Sequence, residues 1–567
     1  MNRRLAPLTP GWRLTLVTAA LLLAATALVA RAAYLQVGDA DFLRGQGDAR
    51  NLRIEPLAAT RGLILDRNGQ PLAVSTPVVS IWANPAQAMT ARDRWKALAR
   101  VAGVGYEDMA DRLLRAQGRE FVYIRRHLAP EVAEKILALD VPGFHGMTEY
   151  RRYYPAGEVA AHVVGFTNID DVGQEGMELA HESLLGAKAG KRKVVKDLKG
   201  RVVEDVEIIE DARPGQDLVL SIDLRIQYLA YRALAATVAQ YRAKGGSVVV
   251  LDVATGEVLA MVNLPAFNPN NRAGVRPASL RNRAVTDVFE PGSTMKTFTV
   301  AAALESGKFR PGSLIETSPG TLRIGSKLIR DHQNYGTIDV TTVLTKSSNV
   351  GSTKLALALP PDDLVSTFSR VGFGQSTYSG FPGESSGSLQ RRANWRPIEL
   401  ATLSYGYGVS VTALQLAQSY AILAAGGMAR PVTLLRREGQ APGERVFSEE
   451  VSRVLVEMLT TVSSDAGTAT RARINGYTVA GKTGTVHKLT GAGYAEDEYL
   501  SVFAGMAPGS RPRVSTVVVV DQPSEGGYFG GVVAAPVFSA VTAGALRTLN
   551  VRPDAVPVVA QQAGGVR

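Results

Sequence analysis

A single apolar run near the N-terminus constrains this chain more than any other feature. Residues 14–30 read LTLVTAALLLAATALVA without a charge, and the apolar character continues to Leu35 with Arg31 as its interruption. About 20 such residues are enough to cross a bilayer as a helix. Three arginines precede the run, and the positive-inside rule then places residues 1–13 in the cytoplasm. The sequence therefore predicts a transmembrane anchor at 14–35, with the rest of the chain on the outer side.

The alternative to an anchor is a signal peptide that is removed after export. An Ala-Arg-Ala sequence at 30–32 imitates a cleavage site. The apolar part of a signal peptide has about 7–15 residues, and the longer run in this chain favours an uncleaved anchor. Since the sequence has no other segment apolar enough to span a bilayer, we expect a single-pass membrane protein.

The composition is that of an ordinary folded protein with two or three domains. The chain has 567 residues, of which 46% are apolar and 20% are charged. It has no cysteine, which excludes thiol catalysis and disulfides, and its six histidines show no metal-ligand spacing. The net charge of +11 comes without a zinc-finger or RNA-binding signature. We therefore expect no metal, no cofactor and no nucleic-acid partner, and at most a weak attraction to an anionic membrane or wall polymer.

The first region after the anchor, residues 36–214, mixes strand and helix patterns. Arg61–Ala73 predicts two short strands around an Asn-Gly turn. Asp93–Ala116 and Ala129–Ala138 have the apolar periodicity of helices. Lys188–Arg201 is strongly basic and predicts a solvated hairpin with a Lys-Gly turn. The sequence of this region shows no catalytic constellation.

The second region, residues 215–550, predicts a mostly antiparallel sheet with a long helical insertion. Asp223 is expected to cap a helix that runs to about Tyr241, and Ala535–Leu549 predicts another helix. The strand patterns are Leu218–Ile222, Ser247–Val253, Glu257–Asn263, Tyr477–Val486, Tyr499–Met506 and Val514–Asp521. A sheet covered by helices in this way makes an α+β fold. Residues 551–567 are expected to be a flexible tail.

Three short motifs in the second region have a shared chemistry. The first is Ser293-Thr294-Met295-Lys296, at the start of an apolar helical pattern that stops near Gly307. Residues i and i+3 share a helix face, so Lys296 can reach the Ser293 hydroxyl. A serine needs a base to become a nucleophile, and a lysine can be that base when burial or a neighbouring cation lowers its pKa. Taken alone, such a motif is more often a surface Ser and Lys on a helix.

The second and third motifs supply the remaining groups. Ser347-Ser348-Asn349 puts a hydroxyl and an amide two residues apart, although Ser and Asn are also common helix N-caps. Lys482-Thr483-Gly484-Thr485 lies in a predicted strand, where glycine often marks the close approach of another backbone. A peptide can pair with such a strand edge, and Lys482 with the threonine hydroxyls can bind a carboxylate. Together and in this order, the motifs predict a serine acyl-transfer site.

These motifs and several longer segments resemble the class B penicillin-binding proteins over most of the chain, and in particular the division-specific branch of that family. In the second region the resemblance is carried by Arg281–Lys296, Lys346–Gly351, Ser404–Thr412, Tyr528–Gly531 and Ala535–Phe538. In the first region Arg61-Gly62 and Asp66–Gly69 resemble the family's pedestal, or dimerisation, domain. The second motif reads Ser-Ser-Asn in place of Ser-Asp-Asn, and its middle residue carries no assigned catalytic role.

The resemblance implies an α+β architecture in three parts. These are a single N-terminal transmembrane helix, a mixed α/β pedestal at 36–214 and a transpeptidase domain at 215–550. The last would contain an antiparallel five-stranded sheet covered by helices and an all-helical subdomain. The implied location is the cytoplasmic (inner) membrane, with the catalytic domain on the periplasmic side.

The resemblance also implies a substrate, the D-alanyl-D-alanine end of a peptidoglycan stem peptide. Ser293 would attack the penultimate D-alanine carbonyl, with Lys296 as the general base. Ser347 would pass a proton to the leaving amine, and Lys482 would tune it. Asn349 would hold the peptide and help to orient Lys296. An amine of a neighbouring stem peptide would then take the acyl group and complete the cross-link.

The third motif would bind the end of the substrate. Thr483, Gly484 and Thr485 are the implied substrate-binding residues, with the two hydroxyls on the terminal carboxylate. The N–H groups of Ser293 and Thr485 would form the oxyanion hole. β-Lactams would imitate the peptide end and acylate Ser293. The resemblance further implies an FtsW-type glycan polymerase and other division proteins as partners in the membrane.

Other functions remain open at this point. The related enzymes are an elongation-specific transpeptidase, a D,D-carboxypeptidase and a serine β-lactamase, of which the last two pass the acyl group to water. A division scaffold or a β-lactam sensor would not need catalysis. The sequence does not give the acceptor peptide, the oligomeric state or the susceptibility to β-lactams.

Overall fold

The structure, a computed structural model, describes residues 11–42, 52–196, 202–491 and 493–556. Its contacts define two compact units. The first unit comprises the described residues of 1–60, 77–150 and 187–214, and the second those of 61–76, 151–186 and 215–567. Two segments of the predicted pedestal therefore pack within the second unit. One reason is that Ile64–Leu65 pairs in parallel with Leu218–Val219 there.

The predicted anchor forms a continuous helical segment. Gly11–Ala33 is α-helical and continues into a π-helical turn at Tyr34–Gly38, and none of these residues is buried. Its length and composition are sufficient to span a bilayer, which supports membrane anchoring. Gly530–Thr548 is also long and apolar enough, but it is mostly buried in the second unit and is therefore a core helix.

The first unit contains two groups of strands. A three-stranded antiparallel sheet has the order Leu52–Leu57, Gly190–Lys196, Val202–Glu210. Gly190–Lys196 lies within the predicted basic hairpin 188–201, whose Lys199-Gly200 turn is outside the described residues, and its partner Val202–Glu210 is an acidic strand beyond that range. The other group consists of the second half of Pro71–Ala83 with Val122–Leu128 and Phe144–Tyr153.

Helices pack with this second group of strands. They are Pro85–Ala88, Met89–Arg94, Trp95–Ala102, Tyr106–Arg115 and Pro130–Leu137. The single helix expected over Asp93–Ala116 is thus divided. Gly103 adopts φ +63° and ends Trp95–Ala102, because a left-handed residue cannot continue a right-handed helix.

The segments 61–76 and 151–186 are joined to each other by a buried ion-pair network. Glu178 is fully buried and accepts hydrogen bonds from Arg61 Nε at 2.7 Å and from Arg152 Nε at 2.6 Å. Next to Arg61, a Cβ on Gly62 would lie 1.9 Å from the Gln216 carbonyl oxygen. The Arg-Gly pair of the pedestal resemblance therefore has a packing role in this unit. The short elements nearby are Ala161–Val164, Phe166–Thr167, Gly173–Glu175, Gly176–Ala180 and Glu182–Leu185.

A five-stranded antiparallel sheet forms the centre of the second unit, as the resemblance implied. Its order is Val258–Leu264, Gly245–Asp252, Val514–Asp521, Gly493–Ala507, Ala480–Thr490. Alternate residues face opposite sides, so Val248 packs with Phe538 on one face and Val249 with Phe298 on the other. The first face is covered by Leu224–Gln240, capped by Asp223 as predicted, and by Gly530–Thr548.

The other face of the sheet carries the helical insertion. Its helices are Lys296–Glu305, Val340–Thr345, Asn349–Leu357, Pro361–Arg370, Pro397–Ser404, Ala413–Ala424 and Glu449–Thr460. The all-helical subdomain needs a correction, because short antiparallel ladders connect these helices. They are Leu314–Glu316 with Thr337–Asp339, Thr321–Ile324 with Lys327–Arg330, Ser388–Leu389 with Val409–Ser410, and Met428–Ala429 with Glu444–Arg445. Pairing of this kind satisfies backbone groups where the chain leaves a helix.

The start of the expected tail is held against the second unit. The Tyr477 hydroxyl donates to the Val551 carbonyl at 2.6 Å, and the Asp554 carboxylate accepts from Thr478 N at 2.8 Å and from Ser510 Oγ at 2.6 Å. Residues 551–556 therefore belong to the folded unit, in contrast to the expectation. Residues 557–567 lie outside the described residues.

Candidate active site

The first motif lies in a 3₁₀ turn rather than in regular helix. Gly292–Met295 forms the turn, and Lys296–Glu305, the nucleophile helix, continues from it. Gly292 adopts φ +53°, and a Cβ there would lie 2.4 Å from a methyl group of Val486. The turn that carries Ser293 is therefore pressed against the strand of the third motif.

A second glycine holds the nucleophile turn from the other side. Gly406 adopts φ +89°, and its carbonyl accepts a hydrogen bond from Gly292 N at 3.2 Å. A Cβ on Gly406 would lie 2.2 Å from the Gly292 carbonyl oxygen. The Tyr-Gly-Tyr-Gly sequence thus has a glycine where two backbones meet.

Gly406→Ala is expected to lower the free energy of unfolding by about 3 kcal/mol or more and to slow acylation, because strain adds to a backbone clash. Gly408→Ala is the matched control. Gly408 has φ +77°, but a Cβ at this position would have nothing within 4 Å, so only about 1 kcal/mol is expected. Thermal unfolding and the rate of penicillin acylation measure both variants. Equal effects in the two variants would contradict the close approach at Gly406.

Lys296 is the centre of the site. Its side chain is fully buried, and Nζ lies 2.9 Å from Ser293 Oγ. The same atom is 2.7 Å from Asn349 Oδ1, 2.7 Å from the Ser347 carbonyl oxygen and 3.1 Å from Ser347 Oγ. Nζ therefore bridges the first and second motifs.

The second motif serves as a helix cap and as part of the site at once. Ser348 is the N-cap of Asn349–Leu357, and its hydroxyl accepts from Gly351 N at 2.8 Å. Ser347 precedes the cap and adopts φ +59°, a strained conformation for this residue type. The motif is therefore a helix N-cap at Ser348 and part of the candidate site at Ser347 and Asn349, because the cap directs these two residues towards Lys296.

Asp331 is a site residue that the sequence analysis missed. Its carboxylate accepts hydrogen bonds from Ser348 Oγ at 2.6 Å and from Asn349 N at 2.5 Å. The Asn349 amide donates to the Arg330 carbonyl at 2.9 Å, which leaves Oδ1 for Lys296. No motif marks Asp331, since its partners are brought to it only by the tertiary fold.

Three further buried hydrogen bonds fix the helices of the site and were also missed. The Tyr420 hydroxyl donates to the Thr294 carbonyl at 3.0 Å, within the nucleophile turn. The Ser404 carbonyl accepts from Thr299 Oγ1 at 2.7 Å and from Ser352 Oγ at 2.9 Å. One carbonyl thus connects the nucleophile helix with the helix of the second motif.

The third motif lies on Ala480–Thr490, the edge strand of the central sheet. Lys482 is fully buried, with Nζ 2.9 Å from Ser347 Oγ. A Cβ on Gly484 would lie 3.1 Å from the Pro291 carbonyl oxygen, so glycine allows the nucleophile turn to approach the strand. Thr483 is almost buried, and Thr485 Oγ1 accepts from Gly530 N at 3.0 Å. The eight predicted site residues therefore lie close together in the second unit.

The electrostatics of the two lysines are unusual. Burial lowers the pKa of Lys296 well below its usual value, and the charge of Lys482 lowers it further, while Asp331 acts in the opposite direction. Burial also lowers the pKa of Lys482 to about 7. Both amines contact the Ser347 hydroxyl, so charging one disfavours charging the other. A neutral amine beside Ser293 can take its proton and make the hydroxyl a nucleophile.

Two protein-family models match this chain. The family model described as the penicillin binding protein transpeptidase domain matches residues 246–543, and the penicillin-binding protein dimerisation domain matches residues 56–220. The chain belongs to the penicillin-binding proteins, and this pairing of domains is that of class B.

The relatives found by sequence comparison cover nearly the whole chain. The peptidoglycan D,D-transpeptidase FtsI of Escherichia coli K12 is 45% identical over 551 residues, 96% of this chain and 93% of the relative. "Probable peptidoglycan D,D-transpeptidase PbpC" of Pseudomonas aeruginosa is 42% identical over 547 residues, 96% of each chain. A solved structure, the apo TP domain of penicillin-binding protein 3 from Burkholderia pseudomallei, is 44% identical with a TM-score of 0.55 and covers 59% of this chain and 98% of its own.

Proposed function

We propose that this protein is a peptidoglycan D,D-transpeptidase of cell division, similar to FtsI, which acts through an acyl-enzyme on Ser293. The observation that carries the proposal is the position of Lys296, fully buried with Nζ 2.9 Å from Ser293 Oγ. A buried amine of lowered pKa within hydrogen-bond reach of a serine hydroxyl is a general base in place. Binding of β-lactams follows from membership of the penicillin-binding family.

The first half of the reaction acylates Ser293. Its hydroxyl proton passes to Lys296 Nζ while Oγ forms a bond to the penultimate D-alanine carbonyl carbon. The negative charge on the carbonyl oxygen is stabilised by the N–H groups of Ser293 and Thr485. When the C–N bond breaks, the terminal D-alanine leaves with a proton delivered through Ser347 Oγ, which lies 2.9 Å from Lys482 Nζ and 3.1 Å from Lys296 Nζ.

The second half transfers the acyl group to an amine of another stem peptide. The attacking amine loses a proton to the lysine pair, and Ser293 Oγ regains one as the ester bond breaks. Asn349 holds the donor peptide, and its Oδ1 keeps Lys296 Nζ at 2.7 Å. In the first half, before the terminal D-alanine leaves, Thr483 and Thr485 bind its carboxylate, and the donor backbone pairs along Gly484 as an added strand. β-Lactams acylate Ser293 as in the first half of the reaction, but their acyl group is not transferred to an amine.

The proposed topology follows from the helix at Gly11–Ala33 and from Arg3, Arg4 and Arg13, which precede its uncharged run. The N-terminus is cytoplasmic and the catalytic unit is periplasmic, with domain limits near 14–35, 36–214 and 215–550. An FtsW-type glycan polymerase is the proposed partner, because the two matched domains do not include a glycosyltransferase. The location of a fluorescent fusion of this protein in growing cells tests the division role. Fluorescence at the division site would support it, whereas an even distribution along the lateral wall would support the elongation-type alternative.

Labelling with a fluorescent penicillin tests the reaction. The wild-type protein is expected to carry a covalent label that Ser293→Ala loses completely, since the Ser347 hydroxyl beside Lys296 is held by both lysines and cannot replace it. Ser306→Ala is the control, because its hydroxyl lies at the far end of the same helix, where it donates to the Ala303 carbonyl and accepts from Lys308 N. A label on Ser293→Ala would place the nucleophile elsewhere. Rapid release of the label from the wild type would favour a carboxypeptidase or β-lactamase.

A further inference from the structure

The two threonines of the third motif are both paired inside the protein, but in different ways. Thr485 Oγ1 accepts a hydrogen bond from Gly530 N at 3.0 Å. A backbone N–H can only donate, so this bond occupies the acceptor side of the hydroxyl. The Thr485 proton is therefore left for a ligand.

Thr483 has a corresponding contact with a residue outside the three motifs. Its Oγ1 lies 3.0 Å from Thr468 Oγ1, and either hydroxyl can be the donor. Lys482 Nζ is 3.4 Å from the same atom, which is long for a hydrogen bond. Thr468 is thus the nearest group that can set the direction of the Thr483 hydroxyl.

A bound carboxylate removes the ambiguity between the two hydroxyls. An anion is a stronger acceptor than a hydroxyl, so the Thr483 proton turns to the carboxylate. The Thr468 hydroxyl must then donate to Thr483 Oγ1 for the contact to persist. In that arrangement both threonines of the motif accept from the protein and donate to the ligand.

We propose that Thr468 is a positioning residue for the substrate carboxylate, acting through Thr483. It makes the site selective for a peptide end or β-lactam that carries a free carboxylate over one whose carboxylate is blocked. The inference rests on the proposed function, because it takes Thr483 and Thr485 as the carboxylate-binding residues.

The backbone around Thr468 is fixed, as a positioning role requires. Gly467 N donates to the Ser464 carbonyl at 3.0 Å, and Ala469 N donates to the Val462 carbonyl at 2.9 Å. A Cβ on Gly531 would lie 2.2 Å from the Thr468 carbonyl oxygen, so this backbone also packs closely against the last helix. The Thr468 side chain itself is exposed and makes no contribution to the core.

Acylation by benzylpenicillin and by its methyl ester tests the proposal. Thr468→Val keeps the shape of the side chain and removes the hydroxyl. For benzylpenicillin, the dissociation constant of the non-covalent complex with this variant is expected to rise about threefold to tenfold, with the limiting acylation rate unchanged. The methyl ester, which offers no anion, should react with the variant as it does with the wild type. Thr468→Ser should restore wild-type values for benzylpenicillin.

A double-mutant cycle with Thr483→Val separates this role from a structural one. If Thr468 acts through Thr483, adding Thr468→Val to Thr483→Val has no further effect on benzylpenicillin. Any of three results would overturn the proposal. They are additive losses of benzylpenicillin binding in the double variant, an equal loss of binding for the methyl ester, and a Thr468→Ser variant that binds benzylpenicillin as weakly as Thr468→Val does. Failure of the wild type to be acylated at Ser293 would instead overturn the proposed function. Acylation of the wild-type protein is therefore measured before that of any variant.

Discussion

Lys296→Met is expected to slow the acylation of Ser293 by about a hundredfold to ten-thousandfold, the usual contribution of a general base. Methionine has a similar length and no amine, so Ser293 keeps its position but loses the group 2.9 Å away that takes its proton. Labelling with a fluorescent penicillin, followed over time, gives the rate constant for each protein. A variant that acylates at the wild-type rate would remove Lys296 from the role of base.

The stability of the same variant separates loss of chemistry from loss of fold. Replacement removes a fully buried amine, which is costly to bury, but it also leaves the Asn349 and Ser347 oxygens without this donor. These opposed effects should keep the free energy of unfolding within about 2 kcal/mol of the wild type. Lys308→Met is the matched control, because Lys308 follows the same helix, is exposed and should affect neither rate nor stability.

Lys482→Met is expected to change the pH dependence of acylation as well as its rate. In the wild type the rate should rise with pH as Lys296 loses its proton, and fall again above about pH 7, where Lys482 loses the charge that supplies a proton through Ser347. The methionine variant lacks the neighbouring cation that lowers the pKa of Lys296. Its rising limb should therefore move to higher pH and its falling limb should disappear.

The rate of the Lys482→Met variant at its own optimum is expected to be about a hundredfold to a thousandfold below that of the wild type, since a preorganised charge at the reacting centre is lost. Acylation rates between about pH 5 and pH 10 measure both effects. Lys488→Met is a control on the same strand, because Lys488 pairs with Asp521 at 2.8 Å and no contact in the described structure connects it to Ser347. A rising limb that stays at the wild-type pH in Lys482→Met would contradict the coupling of the two lysines.

Much of the second unit could be predicted from local sequence patterns. The cap at Asp223, the hairpin around Gly256 and the strand Val514–Asp521 were placed correctly because period-two patterns, turn residues and caps act over a few residues. The division of Asp93–Ala116 at Gly103 was missed, since an isolated glycine is tolerated in many helices. The order of strands in the sheet depends on contacts far apart in sequence and came only from the resemblance and the structure.

The residues of the candidate site also fall into those that local sequence patterns predict and those that they do not. Ser293 and Lys296 were recognisable because one turn of helix connects them, and Thr483 with Gly484 because glycine marked a close approach. Asp331 had no local pattern, since the groups it holds lie on another segment. The same is true of Thr468, whose partner is a hydroxyl on the edge strand.

The sequence by itself determined the anchor, the three motifs and the family, because each depends on residue types at short spacing. Only the tertiary structure decided that Lys296 and Lys482 share one hydroxyl and that burial lowers the pKa of both. Desolvation and the repulsion of two amines depend on distance and burial, which no spacing along the chain contains. The motifs therefore name the reacting groups, and the packing around them makes those groups reactive.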